Sequence, residues 1–528
     1  MKKLTTLFII CILSLGIQAQ VHLVPAPQKL TLGDGQYGLP QQTTIAYATA
    51  ELKPAAEYLQ TCLKRYASTN ADVVAGKQGT IRLAIKKGIA KDCYQLNIAD
   101  RGINIIAANY GSAISAIATL NQLLLQNNNK TSVPYVSITD APRFEWRGFH
   151  LDVSRHFFTV DEVKEFIDLM SLYKLNRFHW HLTDDQGWRI EIKKYPLLTE
   201  KGAWRIYNNQ DTTCWQLAAR DDNPDLLVPR KNTRVVNGDT LYGGFYKQEE
   251  IRDVVSYAKQ RGIEIVPEID MPGHSRAAIK AMNARYNKYI GTDSLRATEY
   301  LLCDYQDTSR YLSAQHYSDN VICIALPSCY NFAKKVIDEI VSMYVEADAP
   351  LTIFHVGGDE VPRGAWLGSQ KVAEYLQGRC QLEGGTSHSP MPVADEKSAQ
   401  RMSAGHIVTP VDVANMKDDF LEALMAILST YNLQIAGWEE IAYRSGHPNS
   451  RFANRNALTY CWNSVPEWRG DEKPYTLANA GYPVMICCVT NLYFDMCNVN
   501  HEEETGLNWG GYVDEDQPYL LRPHDLYR

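Results

Sequence analysis

From residue 145 onward, apolar runs long enough for a buried strand alternate with longer runs of helical period. The strand-like runs are residues 145–154, 176–185, 263–271, 351–360, 433–441, 457–463 and 482–495. Helical runs at 160–175, 247–261, 330–345 and 413–431 lie between several of them, and a short run at 321–327 leads into a helix. Repeated strand-then-helix units build a parallel sheet, because neighbouring parallel strands need a long crossover and a helix supplies it. Polar residues close nearly every strand, as in a barrel whose C-terminal strand ends carry the pocket. The expected class is therefore α/β, a (β/α)8 TIM-type barrel. Seven strands can be counted, and residues 498–528, with Gly506, Gly510, Gly511, Pro518 and Pro523, read as a loop-like tail. The barrel is expected to lack its last strand.

A chain of 528 residues has room for two domains. Residues 20–141 hold alternating runs at 80–85 and 94–98 and a small apolar helix at 111–126, with no cluster of catalytic residue types. They are expected to form a smaller α+β domain concerned with packing. Asp140-Ala141-Pro142 marks the joint, which leaves residues 142–528 for the barrel. Residues 1–19 read as a signal peptide: Lys2 and Lys3 precede an apolar stretch at 7–15, and Ile17-Gln18-Ala19 precedes a cut before Gln20. Ile10 is too bulky for the position before a lipidated Cys11, so a soluble exported protein, periplasmic or extracellular, is expected. No other apolar run is long enough to span a membrane. A net charge of −7 argues against nucleic acid or an anionic membrane as the main partner. The 12 cysteines include no CxxC pair, which disfavours a zinc ribbon or a thioredoxin-like site. Cys323 and Cys329 could bridge in an oxidising compartment.

The strand ends carry the chemistry. Ala349-Pro350-Leu351-Thr352-Ile353 runs into Phe354-His355-Val356-Gly357-Gly358-Asp359-Glu360-Val361. A buried strand ending in two glycines and two carboxylates opens into a site, the glycines leaving room for a ligand or another backbone. An Asp-Glu pair in a surface turn is the plain alternative. The first strand brings Arg147, which either forks onto hydroxyl groups or sits in a structural ion pair; spacing does not separate the two. The second brings His179 and His181 on one strand face, then Asp184 and Asp185. Such histidines suit a metal site, but they precede the strand end, so a hydrogen-bonded core pair is the preferred reading. The third strand ends in His274, able to orient a carboxylate or to cap a helix. Trp438 with Glu439 and Glu440, Tyr460 with Trp462, and Tyr493 with Asp495 close the later strands. Together they could wall a sugar ring; any one alone is more often a core residue.

The stretches RGFHLDVSRHFF, HWHLTDDQGW, PEIDMPGH, HVGGDE, GWEE and NLYFD, in this order between residues 145 and 495, resemble glycoside hydrolase family 20, the β-N-acetylhexosaminidases. The preceding α+β domain is similar to that family's as well. The resemblance implies Glu360 as general acid/base and Asp359 as the group that holds the substrate's 2-acetamido group. It implies Asp184 and His274 as a hydrogen-bonded pair supporting Glu360, and Arg147 as a ligand of ring hydroxyls. It further implies Trp438 and Trp462 as pocket walls, Tyr493 as a partner of the acetamido oxygen, and Asp495 as a ligand of outer hydroxyls. No cofactor and no metal are implied. The partner would be an oligosaccharide or glycoconjugate with a terminal β-N-acetylhexosamine. Family members carry an eighth strand with a further Trp and a sugar-binding acid, and no such stretch follows Asp495 here.

The residues support the same chemistry independently. Retaining glycosidases of the ordinary kind need two carboxyls about 5–5.5 Å apart flanking the anomeric carbon, and inverting ones about 6.5–9.5 Å. Neighbours on one strand are poorly placed to straddle a sugar, but they can serve one face if the substrate supplies the nucleophile. Two other readings are kept: a catalytically impaired sugar-binding homologue lacking the eighth strand, and a metal-dependent hydrolase using His179 and His181.

Overall fold

Strands buried on both faces need near-continuous apolar sequence, and the runs beyond residue 145 supply it. The computed structural model describes residues 21–127, 130–207, 211, 216, 232–383, 408–444, 446–501, 504 and 506–523. The expected signal peptide at 1–19 lies outside the described residues. The chain forms two compact units.

The smaller unit comprises the chain up to Arg147 with Ile167–Asn176 and Gln260–Gly262. Its strands are β1 (Lys29–Gly38), β2 (Gln42–Tyr47), β3 (Asn70–Ala75), β4 (Ile81–Ile85), β5 (Tyr94–Ala99), β6 (Gly102–Ala107) and β7 (Ser132–Asp140), in the order β1-β7-β5-β6-β4-β2-β3. Pairing is antiparallel from β1 to β6 and parallel from β6 to β3. Two helices complete it, α1 (Lys53–Ala67) and α2 (Tyr110–Gln126). Asn109 and Ser112 exchange side-chain hydrogen bonds at the start of α2, satisfying amides that the first turn leaves open. Ile114, Ile117, Leu120 and Leu124 then bury one stripe of that helix.

The larger unit holds seven parallel strands in sequence order: β8 (Gly148–Asp152), β9 (Arg177–His181), β10 (Glu264–Glu268), β11 (Ile353–His355), β12 (Gln434–Trp438), β13 (Leu458–Cys461) and β14 (Val484–Ile486). Among the crossover helices are α3 (Val160–Leu172), α4 (Gln248–Gln260), α5 (Arg276–Tyr289), α6 (Pro327–Glu346), α7 (Gln370–Glu383), α8 (Pro410–Ser429) and α9 (Lys473–Asn479). The central strands β10, β11 and β13 are buried throughout, while the outer strands β8 and β14 are mostly half-buried. The sheet curls strongly. His150 on β8 meets Trp438 of β12 at 5.7 Å, and His179 on β9 meets Tyr460 of β13 at 5.1 Å. Phe149 on β8 stacks at 5.7 Å on Phe494, which lies beyond β14. This is the TIM-type architecture expected from the sequence, and among the described residues no eighth strand pairs with β8 or β14.

Every strand is shorter than its apolar run, because the polar residues at both ends leave the sheet. Arg147 therefore precedes β8, His181 closes β9, and Tyr493 and Asp495 lie well past β14. Cys323 and Cys329 do not bridge; both are free thiols, and Cys329 Sγ faces the Cys323 carbonyl at 3.1 Å. No helix among the described residues is long and apolar enough to cross a membrane.

One buried cation fixes the loops after the first two strands. The Arg189 guanidinium donates to the carbonyls of Val153 (3.0 Å), Ser154 (2.5 Å), Ala203 (2.6 Å) and Gly244 (3.1 Å). Gly187 makes space for it, since a Cβ there would come within 2.3 Å of the guanidinium. Replacing this donor strands up to four buried acceptors, each worth about 1–3 kcal/mol when left unsatisfied. Arg189→Met is therefore expected to lower stability by at least about 3 kcal/mol in urea denaturation.

Candidate active site

The backbone at the end of β11 is bent out of the sheet by glycine. Gly357 (φ +71°) sits where a Cβ would lie 1.7 Å from Asp270 Oδ1, and Gly358 (φ +97°) where one would lie 2.4 Å from Ile441 Cγ2. The room left by the glycines is thus filled by side chains of the neighbouring strand ends. Glu360 follows at φ 44°, and His274 adopts φ 48°, left-handed conformations that cost a non-glycine residue energy and gather at functional sites.

These turns bring four predicted residues together. His274 Nε2 lies 3.3 Å from Glu360 Oε2 and 3.4 Å from Asp359 Oδ2. Its Nδ1 lies 3.2 Å from Asp184 Oδ1. Asp184 and His274 are buried, whereas the Asp359 and Glu360 side chains are 18% and 32% exposed. The carboxylates that could meet a ligand therefore rest on a histidine and an acid that cannot. Asp185, the other acid after β9, is structural: it accepts from the Arg276 amide and the Asn320 side chain.

Arg155 is the arginine of this cluster. It lies three residues past β8 and reaches Asp184 Oδ2 at 2.7 Å and Asp152 Oδ2 at 2.8 Å. Arg147 stands at the other end of the same strand, where its guanidinium donates to the carbonyls of Lys174 and Phe144 at 2.7 Å each. Its expected place among the sugar ligands is corrected accordingly: it precedes the N-terminal end of β8, and the carboxylates follow the C-terminal ends.

Charge sets the protonation of the cluster. Burial would raise the Asp184 carboxyl, but the Arg155 and His274 charges hold it well below the usual carboxylate range. Burial would lower His274, and Asp184 and Asp359 instead hold it well above an ordinary imidazole. Asp359 is pushed up by burial and by Glu360, with His274 pulling it down. Asp270, whose carboxyl lies within 4.8 Å of the Asp359 and His274 ligand atoms, is pushed up strongly by burial and by Asp359. Both carboxyls are thus pushed up, Asp270 the more strongly, and the two titrate as a pair.

His179 and His181 both turn to Glu268 inside the barrel, His179 Nε2 at 2.8 Å and His181 Nδ1 at 2.6 Å from Oε2. Sets such as His179, Glu268 and His355 have their ligand atoms within 4.8 Å. The direct contacts are shorter than the roughly 3.3 Å between ligands of a tetrahedral zinc, so the groups pack against one another directly, and His181 is hydrogen-bonded to Glu268. Trp438 is nearly buried and donates Nε1–H to Glu268 Oε1 at 2.9 Å. Tyr460 packs between His179 and His355, inside the barrel and not on its wall. Trp462 donates toward both oxygens of Glu440 at 3.3 Å and meets the edge of Trp509 at 5.9 Å. Trp509 also stacks on Trp468 at 6.2 Å and meets Tyr493 at 6.3 Å. Tyr493 is raised well above an ordinary phenol by burial and by nearby charges that include Asp359 and Asp495. Asp495 is exposed and feels Arg155 and Asp152. Arg155, Glu268 and Asp270 are the members sequence reasoning passed over. Arg155 was within reach, since counting from the strand's C-terminal end selects it over Arg147.

Comparisons with known proteins identify the family. The sequence models described as glycosyl hydrolase family 20, catalytic domain, and glycosyl hydrolase family 20, domain 2, match residues 144–526 and 20–141. This chain belongs to glycosyl hydrolase family 20. The family 20 chain is 31% identical over 520 residues to a beta-hexosaminidase of Vibrio vulnificus, covering 97% of itself and 55% of that protein. It is 32% identical to a beta-hexosaminidase of Vibrio furnissii, covering 96% of itself and 69% of the relative. It superposes with TM-score 0.73 and 31% identity on a family 20 exo beta-N-acetylglucosaminidase of Vibrio harveyi, solved in complex with N-acetylglucosamine, over 95% of this chain and 66% of that one. The family 20 chain thus spans little more than half of the first of these relatives.

Glu440 supplies a test of the electrostatics. Burial, then Glu439 and Asp359, push its carboxyl from 4.5 up to about 8. A raised carboxyl contributes stability in full below its unfolded value and loses it as pH rises through the folded one. Thermal melts are therefore expected to show stability falling between pH 4.5 and 8. Glu440→Gln should flatten that fall and melt above the parent at pH 8.

Proposed function

We propose that the chain is an exo-acting β-N-acetylhexosaminidase. It would remove terminal, non-reducing β-linked N-acetylglucosamine or N-acetylgalactosamine with retention, the substrate's own acetamido oxygen serving as nucleophile. The observation that carries this is the placement of Asp359 and Glu360 against one nitrogen of His274. Two carboxyls gathered on one histidine serve one side of a sugar together, and the displacement from the far side is then left to the substrate.

In this scheme Glu360 begins protonated and gives its proton to the glycosidic oxygen as the bond to the anomeric carbon breaks. The acetamido oxygen closes on that carbon and forms an oxazolinium. Asp359, with His274 Nε2 at 3.4 Å, accepts the acetamido N–H and offsets the charge that develops on the ring. Water then opens the ring while Glu360 takes a proton back from it, which restores the acid and retains the configuration. His274 faces Glu360 through both halves and steadies the carboxylate left after proton transfer. Arg155 and Asp495 would hold outer hydroxyls, Tyr493 the acetamido oxygen, and Trp438 and Trp462 the ring faces. The relatives' names, which include beta-hexosaminidases and a chitobiase, support the same substrate class. An exported location accords with a polymeric or glycoconjugate substrate and is proposed from the first 19 residues.

With a 4-nitrophenyl N-acetyl-β-glucosaminide, Asp359→Asn is expected to lose about 10²–10⁴-fold in kcat. Glu360→Gln should lose as much or more on an unactivated disaccharide, whose leaving oxygen needs the proton. A thiazoline analogue of N-acetylglucosamine, which mimics the oxazolinium, should compete with substrate at far lower concentration than N-acetylglucosamine itself. Trapping of a sugar covalently bound to the protein would overturn the scheme.

A further inference from the structure

The scheme above leaves a row of buried ionisable groups without a task. Glu268 closes β10 with no exposed surface. Its Oε2 accepts a hydrogen bond from His181 Nδ1 at 2.6 Å, and its Oε1 one from Trp438 Nε1 at 2.9 Å. His179 Nε2 lies 2.8 Å from Oε2 and His355 Nδ1 lies 2.9 Å from Oε1. The other nitrogen of His181, Nε2, is 2.9 Å from Asp184 Oδ2. Asp184 Oδ1 is in turn 3.2 Å from His274 Nδ1, and His274 Nε2 faces Glu360. A single line of contacts thus leads from the barrel interior to the acid.

Ionised carboxylates only accept hydrogen bonds, so an imidazole with each nitrogen against a different one carries a proton on both. His181 is therefore an imidazolium. Arg155 Nη1 shares Asp184 Oδ2 with it, at 2.7 Å from that oxygen and 3.2 Å from His181 Nε2, the spacing of two donors that converge on one acceptor. With Oδ2 claimed by two cations, Oδ1 is left for His274 and the Asp185 amide. The charged and titratable groups facing His181 are Glu268, Asp152, Asp184, Asp270, Arg155, His150 and His179. Those facing His274 are Asp184, Asp185, Asp359 and Glu360, with Asp270 beside them.

We propose that Glu268 and His181 are positioning residues for the acid step: from the buried side they hold Asp184 ionised and oriented, so that the Nδ1–H of His274 stays on Asp184 and its Nε2 stays toward Glu360. Neither residue gives up a net proton; Glu360 alone gives one to the leaving oxygen and takes one from water. The inference rests on the hexosaminidase reading and deepens it by extending the support of the acid two residues into the core.

The test compares two leaving groups on the purified full chain: an unactivated N-acetylglucosamine disaccharide, which needs protonation, and an aryl glycoside of an acidic phenol, which needs little. Glu268→Gln and His181→Asn are expected to lower kcat on the disaccharide about 30–1,000-fold, within the range of general acid catalysis, and on the aryl glycoside several-fold less. KM should change little, and the alkaline limb of the pH profile of kcat/KM should move. His179→Gln touches the same Glu268 oxygen but does not lead to Asp184, so its ratio between the two substrates should match the parent. His181→Gln keeps a donor at the reach of Nε2 and should recover part of the loss. If Glu268→Gln fails to fold, the contrast between His181→Gln and His181→Asn decides. Equal losses on both substrates with an unmoved pH profile would overturn this inference alone, leaving a purely structural role. A parent chain that turns over neither substrate would overturn the functional reading, and this inference with it.

Discussion

Asp184 is 1% exposed, and a carboxylate taken that far from water costs several kcal/mol unless cations and donors surround it. Arg155, His181, His274 and the Asp185 amide do so, from three stretches of the sequence. That one requirement fixes the ends of β8 and β9 and the turn after β10 against each other. It also explains why His274 is charged and why Glu268 lies deep in the barrel: each cation drawn to Asp184 brings its own counter-charge. The result alternates acid and base from the core outward, so no charge is buried beside an uncompensated one. Such a network is worth more as a specifier of geometry than as a source of stability.

The second constraint is local backbone. An αL glutamate and an αL histidine are conformations that nothing in a strand would choose, and they persist only where surrounding packing over-determines them. Here Gly357 and Gly358 let Asp270 and Ile441 press against the β11 end, and that pressure turns Asp359 and Glu360 toward His274. A side chain at either glycine would push these groups apart, which gives the pair a positional meaning beyond generic flexibility.

Much of this was legible in the sequence, and the reason is physical. Parallel strands buried on both faces must be written as apolar runs, so seven strands and their order could be counted directly, and polar residues at their ends could be flagged. What the sequence does not write is where a run leaves the sheet. Reading β8 from residue 145 made Arg147 look like a site residue, whereas the strand starts at Gly148 and the useful arginine follows Asp152. Reading β9 through to residue 185 placed His181 well inside, whereas it is the strand's last residue and so can touch Asp184. Glu268 escaped notice because a lone glutamate in an apolar run carries no pattern; its role depends on three histidines from β9 and β11 that only the curl of the sheet brings to it.

The acid machinery and the groups that would hold a sugar are built from different material. Asp184, His274, Glu268 and His181 are all buried, at or just past the ends of the middle strands β9 and β10, where packing leaves few alternative positions. Trp462, Trp509, Tyr493 and Asp495 come from the loops after β13 and β14, at the half-buried side of the sheet. A proton transfer tolerates displacements of only a fraction of an ångström, while a wall of aromatic faces can adjust to the sugar it meets. Under the proposed function, placing the first on the rigid centre and the second on the adaptable margin would let the glycan vary without disturbing the acid. The same division separates the Trp509 loops, which the proposed function would use to hold a sugar, from the Glu268–His181–Asp184–His274 line, which it would use to support the acid.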